Sequence, residues 1–406
     1  MSVGIEKIQL YGGRFCLESG ELARARKLDA GYLRRELLCD ERSVVPPYED
    51  SVTLAVNAVR RLLEPSELEQ IELLIVATES GLDFGKPLST WVHRFCGLPP
   101  NCRNLEVKHA CYGCTGALNM AAAWVAAGAR PGKKALVVNT DHTRFGLGAP
   151  GEPLGGGVAV AMLVSHTPQI LDLDLDRAGI WTREIADTFR PTARMEVIQD
   201  QVSVFSYLDA LEGAFDHFLQ VNDPLEYDAH FQKHIYHAPF PGMTRLAHRT
   251  LLARWGIQGL AAEESFSRKV EESLCFARRL GSCYGGSNFV CLLGLLHAAQ
   301  DVRRDARVSL FSYGSGCQGE FYGARIGPEA GARIKALQLD RHLDERRRLS
   351  VEEYEWMEYA RERNVENADF QPGRGNPADA YEALYAGRGL LVLEQVKGYI
   401  RRYGWS

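Results

Sequence analysis

One segment of this sequence occurs twice, and the repetition limits the folds that the chain can adopt. Cys111-Tyr-Gly-Cys-Thr precedes an apolar segment of helical length, a basic turn and a strand beginning at Leu136. Cys283-Tyr-Gly-Gly-Ser precedes the same series of elements, and its strand begins at Val308. Each strand begins 25 positions after its cysteine. This agreement in order and spacing indicates an internal duplication, in which two similar halves pack into one body.

Predicted strands and helices alternate around the first copy. Apolar spacing predicts an amphipathic helix over residues 51–63, and the run 71–78 is typical of a strand buried on both faces. The alanine-rich residues 117–128 predict a buried helix. Such alternation indicates an α/β fold. We expect two halves, 1–166 and 167–406, that form one integrated catalytic unit, because no low-complexity linker separates them.

Charge and cysteine content exclude several classes of protein. The 47 basic and 52 acidic side chains give a formal net charge of −5, which provides no long-range attraction to nucleic acid or anionic lipid. No apolar run approaches the roughly 18–20 residues of a membrane span, and the N-terminus does not resemble a signal peptide. Ten cysteines are too few for a disulfide scaffold. We therefore expect a cytoplasmic protein with reduced thiols and with neither a nucleic-acid nor a membrane partner.

Cys111 is the first candidate for chemistry, because it lies at a glycine-containing turn where a helix is predicted to begin. The unpaired N–H groups and the dipole of a helix N-terminus would lower the thiol pKa and stabilise an oxyanion. Cys111 and Cys114 also form a Cys-x-x-Cys pair, which is compatible with redox chemistry or with half of a zinc site. The sequence has no second pair of this kind and no histidine pair nearby, so we predict no metal. A structural thiol remains an alternative at this point.

Glu79 and His237 are the other two candidates. Glu79 follows the predicted strand 71–78, at the strand end where α/β folds place their sites, and partial burial would raise its pKa towards that of a general base. A structural hydrogen-bond acceptor is an equally open interpretation. Two prolines and a glycine after His237 favour its display on an extended segment, although a structural histidine is also open. Together the three residues offer a nucleophile, a base and an acid.

The motifs that contain these residues resemble those of the 3-hydroxy-3-methylglutaryl-CoA (HMG-CoA) synthase family. They follow the family's order along nearly the whole chain: Ala77-Thr-Glu-Ser-Gly-Leu-Asp, Lys108-His-Ala-Cys-Tyr-Gly-Cys-Thr, Phe189-Arg-Pro-Thr, His237-Ala-Pro-Phe and Leu310-Phe-Ser-Tyr-Gly-Ser-Gly. The resemblance implies an α/β, thiolase-like fold with a duplicated αβαβα layered architecture, and a homodimer.

By the same resemblance, each candidate has a role in a condensation. Cys111 carries the acyl group as a thioester, Glu79 removes a proton from its methyl group, and His237 holds and protonates the acceptor's oxygen. Five residues are implied in substrate binding: Tyr207, Ser282, Tyr313, Gly314 and Ser315. Backbone N–H groups near Cys111 and Ser315 would form the oxyanion site. Two departures from the family pattern affect substrate positioning, since Ser282 stands in place of an asparagine and Leu154 in place of a threonine.

The segment after His237 separates two branches of the family. Pro241-Gly-Met-Thr-Arg-Leu-Ala-His-Arg-Thr lacks the lysines that help hold CoA in isoprenoid metabolism. It is similar to the polyketide-biosynthesis branch, which accepts acyl groups from acyl carrier proteins. The resemblance implies that Arg245, His248 and Arg249 contact the carrier protein or its phosphopantetheine.

The implied function is that of a condensing acyltransferase acting in polyketide β-branching. It would add an acetyl-derived carboxymethyl group to the β-ketone of a carrier-bound intermediate. Its partners would be a donor acyl carrier protein and an acceptor carrier domain, and no resident cofactor is expected, because phosphopantetheine delivers the acyl groups. One alternative is a CoA-dependent HMG-CoA synthase of isoprenoid biosynthesis. Another is a non-catalytic carrier-docking scaffold, against which the joint presence of Glu79, Cys111 and His237 argues.

Overall fold

The computed structural model describes residues 2–194, 196–375 and 379–406. The strands are β1 Gly4–Tyr11, β2 Phe15–Glu18, β3 Glu41–Val44, β4 Ile71–Ala77, β5 Arg103–Val107, β6 Lys134–His142, β7 Gly157–Ser165, β8 Leu171–Leu173, β9 Gly179–Thr182, β10 Thr188–Phe189, β11 Val197–Ile198, β12 Lys233–Tyr236, β13 Arg307–Gly314, β14 Gln318–Ile326, β15 Arg347–Arg348, β16 Leu391–Lys397 and β17 Ile400–Trp405. The α-helices are α1 Ser19–Arg26, α2 Ala30–Arg35, α3 Ser51–Leu62, α4 Ser89–Cys96, α5 Gly113–Ala127, α6 Asp200–Val221, α7 Tyr227–His230, α8 Met243–Ala253, α9 Gly259–Lys269, α10 Ala277–Leu280, α11 Ser287–Ala298, α12 Ala330–Ala336, α13 Leu339–Asp344, α14 Val351–Asn364 and α15 Ala380–Leu384.

A mixed sheet forms the framework of the described chain. Its strands follow the order β12-β13-β14-β8-β1-β7-β6-β4-β5, and β9 pairs with β14. In the first half, β4 and β6 are parallel, and β7 and β1 follow in antiparallel pairs. In the second half, β12 and β13 are parallel, and β14 and β8 follow in antiparallel pairs. The same pairing pattern therefore occurs twice in one sheet.

The duplicated segments form matching turns and helices. A 3-10 turn spans Ala110–Tyr112 in the first half and Tyr284–Gly286 in the second, and helices α5 and α11 begin directly after these turns. Each turn begins at a residue with positive φ, which is +40° at Ala110 and +47° at Tyr284. These features place the two copies in structural register.

This register differs from the one that the paired cysteines suggest. Cys111 is the second residue of the first turn, and Gly285 is the second residue of the second turn. Gly285, and not Cys283, therefore corresponds to Cys111. A Cβ atom at Gly285 would lie only 2.8 Å from the carbonyl oxygen of Cys111 and 2.8 Å from the Cβ of Cys114. The second copy thus has no side chain at the position of the nucleophile because the two turns pack directly against each other.

The helices and strands that position the site agree with the sequence patterns. Helix α3 matches the predicted helix 51–63, and Asp50 caps it by accepting hydrogen bonds from two backbone N–H groups. Strand β4 is buried at every position, as expected for residues 71–78. Helices α5 and α11 are apolar on most sides and lie in the largest hydrophobic core. Within the described residues, no helix is long and apolar enough to cross a membrane.

Candidate active site

Cys111 lies in the turn that leads into α5 and lines a cavity of about 420 Å³, called here the Cys111 cavity. The N–H groups of Tyr112 and Gly113 both donate to the carbonyl of His109, so they are occupied within the turn. Burial raises the pKa of the Cys111 thiol well above its usual range, and three surrounding carboxylates raise it further. The lowered thiol pKa expected from the helix N-terminus is therefore wrong, and the thiol is protonated at neutral pH.

Glu79 lies beside this turn, two residues after the end of β4. The N–H of Ala110, the first residue of the turn that contains Cys111, favours the charged form of the Glu79 carboxylate. Its Oε1 atom is buried and has no hydrogen-bond partner among the residues that the structure describes. Burial raises the pKa of Glu79, although the Lys108 ammonium and the Ala110 N–H oppose that effect. Such a carboxylate, with one oxygen unused, is suited to accept a proton.

Two side chains, Asp141 and Arg190, hold the backbone N–H and the backbone carbonyl of Glu79. Asp141 Oδ1 accepts from the N–H groups of Glu79 (2.8 Å) and Ser80 (3.1 Å). Arg190 Nη1 donates to the carbonyl oxygen of Glu79 at 2.8 Å. Asp141 is fully buried, and burial raises its pKa to about 7. These contacts hold the carboxylate of Glu79 in a defined place at the turn.

Arg190 also belongs to a network that forms part of the wall of the Cys111 cavity. Its Nη2 donates to the Tyr284 hydroxyl at 2.7 Å and to Glu196 Oε2 at 3.1 Å. The Tyr284 hydroxyl donates in turn to Glu196 Oε1 at 2.8 Å. Tyr284 and Glu196 line the cavity, so the network connects its wall to the backbone of Glu79.

His237 follows β12 and lines the same cavity as Cys111. Its Nδ1 lies 2.6 Å from the hydroxyl of Ser287, which also accepts from the N–H of Ala238 at 3.2 Å. The Tyr207 hydroxyl donates to the carbonyl oxygen of His237 at 2.8 Å. Burial lowers the pKa of His237 to about 3, so the imidazole is neutral at physiological pH.

Four of the five predicted substrate-binding residues line the Cys111 cavity: Tyr207, Ser282, Tyr313 and Ser315. Gly314, the fifth, is not part of the lining. A Cβ atom at Gly314 would lie 2.6 Å from the backbone nitrogen of Tyr112, so this glycine permits β13 to approach the turn of the nucleophile. The hydroxyl of Tyr313 donates to Asp187 at 2.7 Å.

The two departures from the family pattern are in direct contact. The N–H of Ser282 donates to the carbonyl oxygen of Leu154 at 2.7 Å, and both residues line the Cys111 cavity. The Thr143 hydroxyl donates to the carbonyl oxygen of Ser282 at 2.6 Å. Ser282 and Leu154 therefore change one patch of the cavity together. Much of the remaining lining is apolar: Phe145, Ile198, Val204, Phe240 and Met243.

His248 does not lie at the surface, which contradicts its predicted contact with a carrier protein. It is 0% exposed and lies in the core between the Tyr236 hydroxyl (2.9 Å) and the Ser265 hydroxyl (3.0 Å). Burial lowers the pKa of its imidazole to about 4. On helix α8 its side chain is on the face that packs inwards, so its role is structural.

Arg245 and Arg249 lie on the other face of α8 and differ in accessibility. The Arg249 side chain is 51% exposed and pairs with Glu263 at 2.5 Å. The Arg245 side chain is 22% exposed, donates to the carbonyl oxygen of Arg35 at 3.2 Å and lies over the ring of Phe266. A carrier protein would therefore meet Arg249 more readily than Arg245.

Sequence reasoning missed several polar residues that position the candidates. Ser287 was seen only as the last residue of the repeated motif, and Arg190 only as part of Phe189-Arg-Pro-Thr. These motifs were sufficient to find both. Asp141 and Glu196 lie outside the recognised motifs, and their contacts with Glu79 and Tyr284 join chain segments that are far apart in sequence.

Comparison with known proteins assigns the family. Residues 1–169 match the hydroxymethylglutaryl-coenzyme A synthase N-terminal family, and residues 247–402 match its C-terminal family. The chain belongs to the HMG-CoA synthase family, as its motifs predicted, and is an enzyme of the condensing acyltransferase class.

Individual relatives refine this assignment. The polyketide biosynthesis 3-hydroxy-3-methylglutaryl-ACP synthase PksG of Bacillus subtilis is 35% identical over 425 residues, which cover 100% of this chain and 99% of that protein. A hydroxymethylglutaryl-CoA synthase of Enterococcus faecalis is 35% identical over 363 residues, which cover 88% of this chain and 91% of the relative. The crystal structure of the curacin biosynthetic pathway HMG synthase in complex with holo donor-ACP matches with a TM-score of 0.95, at 35% identity and full coverage of both chains. The predicted thiolase-like α/β fold is confirmed by these structural matches.

Proposed function

We propose that this protein is a carrier-protein-dependent HMG synthase of polyketide β-branching. It adds an acetyl-derived carboxymethyl group to the β-ketone of a carrier-bound intermediate. The observation that carries the proposal is the placement of Cys111 and His237 in one cavity, with Glu79 held at the turn of the nucleophile. The full-length similarity to PksG and to the curacin pathway enzyme supports the carrier-dependent branch.

In the first half-reaction, the Sγ atom of Cys111 attacks the carbonyl carbon of the donor's acetyl thioester. The bond from that carbon to the phosphopantetheine sulfur breaks, and this sulfur takes up the proton that the thiol loses. The raised pKa of Cys111 fits such an exchange, because the thiol starts protonated and the site gains no net charge. We place the oxyanion at backbone N–H groups near Cys111 and Ser315, as the family resemblance implies.

In the second half-reaction, a carboxylate oxygen of Glu79 takes a proton from the methyl group of acetyl-Cys111. The resulting enolate forms a carbon–carbon bond to the β-keto carbon of the acceptor, and neutral His237 donates its Nε2 proton to the oxygen of that ketone. The proton that Glu79 took from the methyl group returns to the imidazole through water in the cavity, so both side chains end the step in their starting protonation states. The Ser287 hydroxyl accepts from the N–H of Ala238, so its own proton is free to be donated to Nδ1 of His237. Nε2 then carries the proton that reaches the acceptor. Water finally cleaves the thioester, which releases a free carboxylate and restores the thiol of Cys111.

The wider setting of the enzyme follows from the same proposal. The donor is an acyl carrier protein, the acceptor is carried by a polyketide synthase carrier domain, and the active form is a homodimer. The acyl groups arrive on phosphopantetheine, so the reaction needs no resident cofactor. A cytoplasmic location and the two-half division at residue 166 stay predictions.

Mass spectrometry after incubation with acetyl-carrier protein tests the nucleophile. We expect one acetyl group on the peptide that contains Cys111 and Cys114, and Cys111→Ser should abolish it. Cys114→Ser is the matched control, because Cys114 is buried in the core one helical turn away and should leave labelling unchanged. Labelling that is lost in Cys114→Ser and kept in Cys111→Ser would refute the assignment.

Separate measurement of the two half-reactions tests the base. Glu79→Gln should still form acetyl-Cys111 but should lose about 10²–10⁴ of the condensation rate, because a positioned general base contributes that much. Condensation at the parental rate would show that Glu79 is structural and would refute the proposed step.

A second candidate, the CoA-dependent HMG-CoA synthase, is favoured by the 35% identity to the Enterococcus faecalis enzyme. The donor distinguishes the two functions. The carrier-dependent enzyme should acetylate Cys111 much faster from acetyl-carrier protein than from acetyl-CoA at equal concentration, and added salt should slow the transfer. Equal, salt-insensitive rates from both donors would favour the CoA-dependent function.

A further inference from the structure

One face of helix α6 forms a wall of the Cys111 cavity. Asp200, Ser203, Val204 and Tyr207 all line the cavity, and the steps of three and four residues between them place them on one side of the helix. Tyr207 is 2% exposed, Ser203 and Val204 are half-buried, and Asp200 is exposed. The helix from Asp200 to Tyr207 is about 10 Å long. This face therefore extends from the buried end of the cavity to its mouth.

The inner end of this face lies at His237. The Tyr207 hydroxyl donates to the carbonyl oxygen of His237 at 2.8 Å, and the centroids of the two rings are 6.2 Å apart. In the proposed condensation, His237 protonates the ketone oxygen of the acceptor, so the β-keto carbon lies close to Tyr207. The same carbon bears the rest of the acceptor's carbon chain. The chain therefore begins beside the inner end of the α6 face.

Two apolar side chains lie along the path from this inner end to the mouth. Val204 on α6 is half-buried, and Ile198 at the end of β11 is 37% exposed; both line the cavity. The β10–β11 hairpin that carries Ile198 is fixed at its base, because Asp187 accepts from the Tyr313 hydroxyl at 2.7 Å and from the N–H of Gln199 at 2.8 Å. We call the following residues the α6 wall: Ile198, Ser203, Val204 and Tyr207.

Charge at the mouth separates the acyl chain from the phosphopantetheine arm. Met243 at the start of α8 lines the cavity, and Arg249 on the same helix has a side chain that is 51% exposed. An exposed guanidinium attracts the phosphate of the arm. The α6 wall instead ends at the exposed carboxylate of Asp200, which repels a phosphate. These charges favour a path for the arm along α8 and leave the α6 wall to the acyl chain.

We propose that the α6 wall binds the apolar carbon chain that extends beyond the β-keto carbon of the acceptor, so that the enzyme favours acceptors with a long apolar chain. This inference rests on the proposed function and adds the class of acceptor to it. Contact of the chain with Ile198 and Val204 removes apolar surface from water on both sides, which strengthens binding with each added methylene group. The acetyl donor has no such chain, so acetylation of Cys111 does not depend on this contact.

Two acceptors that differ only in chain length give the first test. The kcat/KM of condensation is measured for 3-oxobutanoyl-carrier protein and 3-oxooctanoyl-carrier protein, with acetyl-carrier protein as a saturating donor. Each methylene that leaves water contributes about fourfold, so the wild type should favour the longer acceptor by at least about tenfold. Equal values for the two acceptors would overturn this inference and leave the proposed function intact. Acetylation of Cys111 without condensation of either acceptor would overturn the proposed function as well.

Substitution of the α6 wall gives the second test. Val204→Thr keeps the shape of the side chain but replaces a methyl group by a hydroxyl, so the preference for the longer acceptor should fall about 3- to 10-fold. Phe205→Thr is the matched control, because Phe205 is the next residue of α6, is 65% exposed and is outside the described lining of the cavity. It should keep the preference of the wild type.

The rate of Cys111 acetylation from acetyl-carrier protein shows whether each variant is folded. If Val204→Thr does not fold, Ile198→Thr replaces it, since threonine is well accommodated in a strand, and the same fall in preference is expected. An unchanged preference in a folded variant of the α6 wall, or an equal fall in Phe205→Thr, would refute the proposal.

Discussion

Ser287→Ala should slow the condensation catalysed by this enzyme more than it slows acetylation of Cys111. The variant removes the hydroxyl that lies 2.6 Å from Nδ1 of His237, and it leaves that buried nitrogen without a partner. An unsatisfied buried group of this kind costs about 1–3 kcal/mol. If the cost falls on the orientation and tautomer of the imidazole in the transition state, the condensation rate falls about 5- to 150-fold.

A second serine provides a control with the same chemistry away from the site. Ser309 lies 2.7 Å from Nδ1 of His234, another buried histidine, and neither residue lines the Cys111 cavity. Ser309→Ala should therefore lower Tm to a similar degree while changing the condensation rate by less than about twofold. The assay is single-turnover condensation from preformed acetyl-enzyme, alongside Tm for both variants. Equal losses of rate in the two variants, or no loss in Ser287→Ala, would refute a positioning role for Ser287.

Three other substitutions test contacts around the site. Asp141→Asn keeps an acceptor for the N–H of Glu79 but removes a carboxyl group whose pKa burial raises to about 7, above the value of about 4 in an unfolded chain. The neutral carboxyl stabilises the fold below about pH 4, and this stabilisation is lost as pH rises through 7. The Tm of the wild type relative to that of the variant should therefore fall between these pH values, and parallel plots of Tm against pH would contradict this. His248→Ala should lower Tm without slowing acetyl transfer from the carrier, whereas Arg249→Ala should slow that transfer at unchanged Tm. Slower transfer in His248→Ala and unchanged transfer in Arg249→Ala would restore His248 as a carrier contact. Gly285→Ala should destabilise the protein by about 1–3 kcal/mol in denaturant titrations, because the new Cβ would lie 2.8 Å from the Cys111 carbonyl oxygen. Gly146→Ala is the control, since a Cβ there meets nothing within 4 Å, and equal unfolding midpoints for the two variants would refute the close packing of the two turns.

The elements of the fold were predictable wherever periodicity and burial act in the same direction. The apolar run 71–78 and the alanine-rich segment 117–128 have one stable placement, inside the core, and the structure places them there. The duplication was predictable as well, but its register was not. The repeated motifs align Cys283 with Cys111, whereas the structure aligns Gly285 with Cys111, two positions further along the chain. The second turn requires glycine at the place where the first has Cys111.

The position of His248 could have been derived from helical spacing. On α8 the buried residues are Met243, Thr244, Ala247, His248, Leu251 and Leu252, a pattern of three- and four-residue steps. His248 belongs to that face, whereas Arg245 and Arg249 lie on the other. Grouping the three as cations of one surface ignored this periodicity, and a histidine is neutral enough to be buried when its ring nitrogens have hydrogen-bond partners.

The protonation states around Cys111 could not be derived from the sequence, because they depend on groups from distant segments. The helix N-terminus alone would favour a thiolate, but burial and the carboxylates around Cys111 outweigh it, so the thiol is protonated. Glu79 has a raised pKa and His237 is neutral, again because of burial. In this state Cys111 and His237 carry the protons that they give up, and Glu79 accepts one as a carboxylate. Few separated charges then lie in a medium of low dielectric constant. Thioester exchange needs the thiol proton for the leaving sulfur, and condensation needs one proton removed at Glu79 and one supplied at His237. The burial that opposes a free thiolate therefore favours the proposed reaction, in which the substrates exchange their protons directly with side chains.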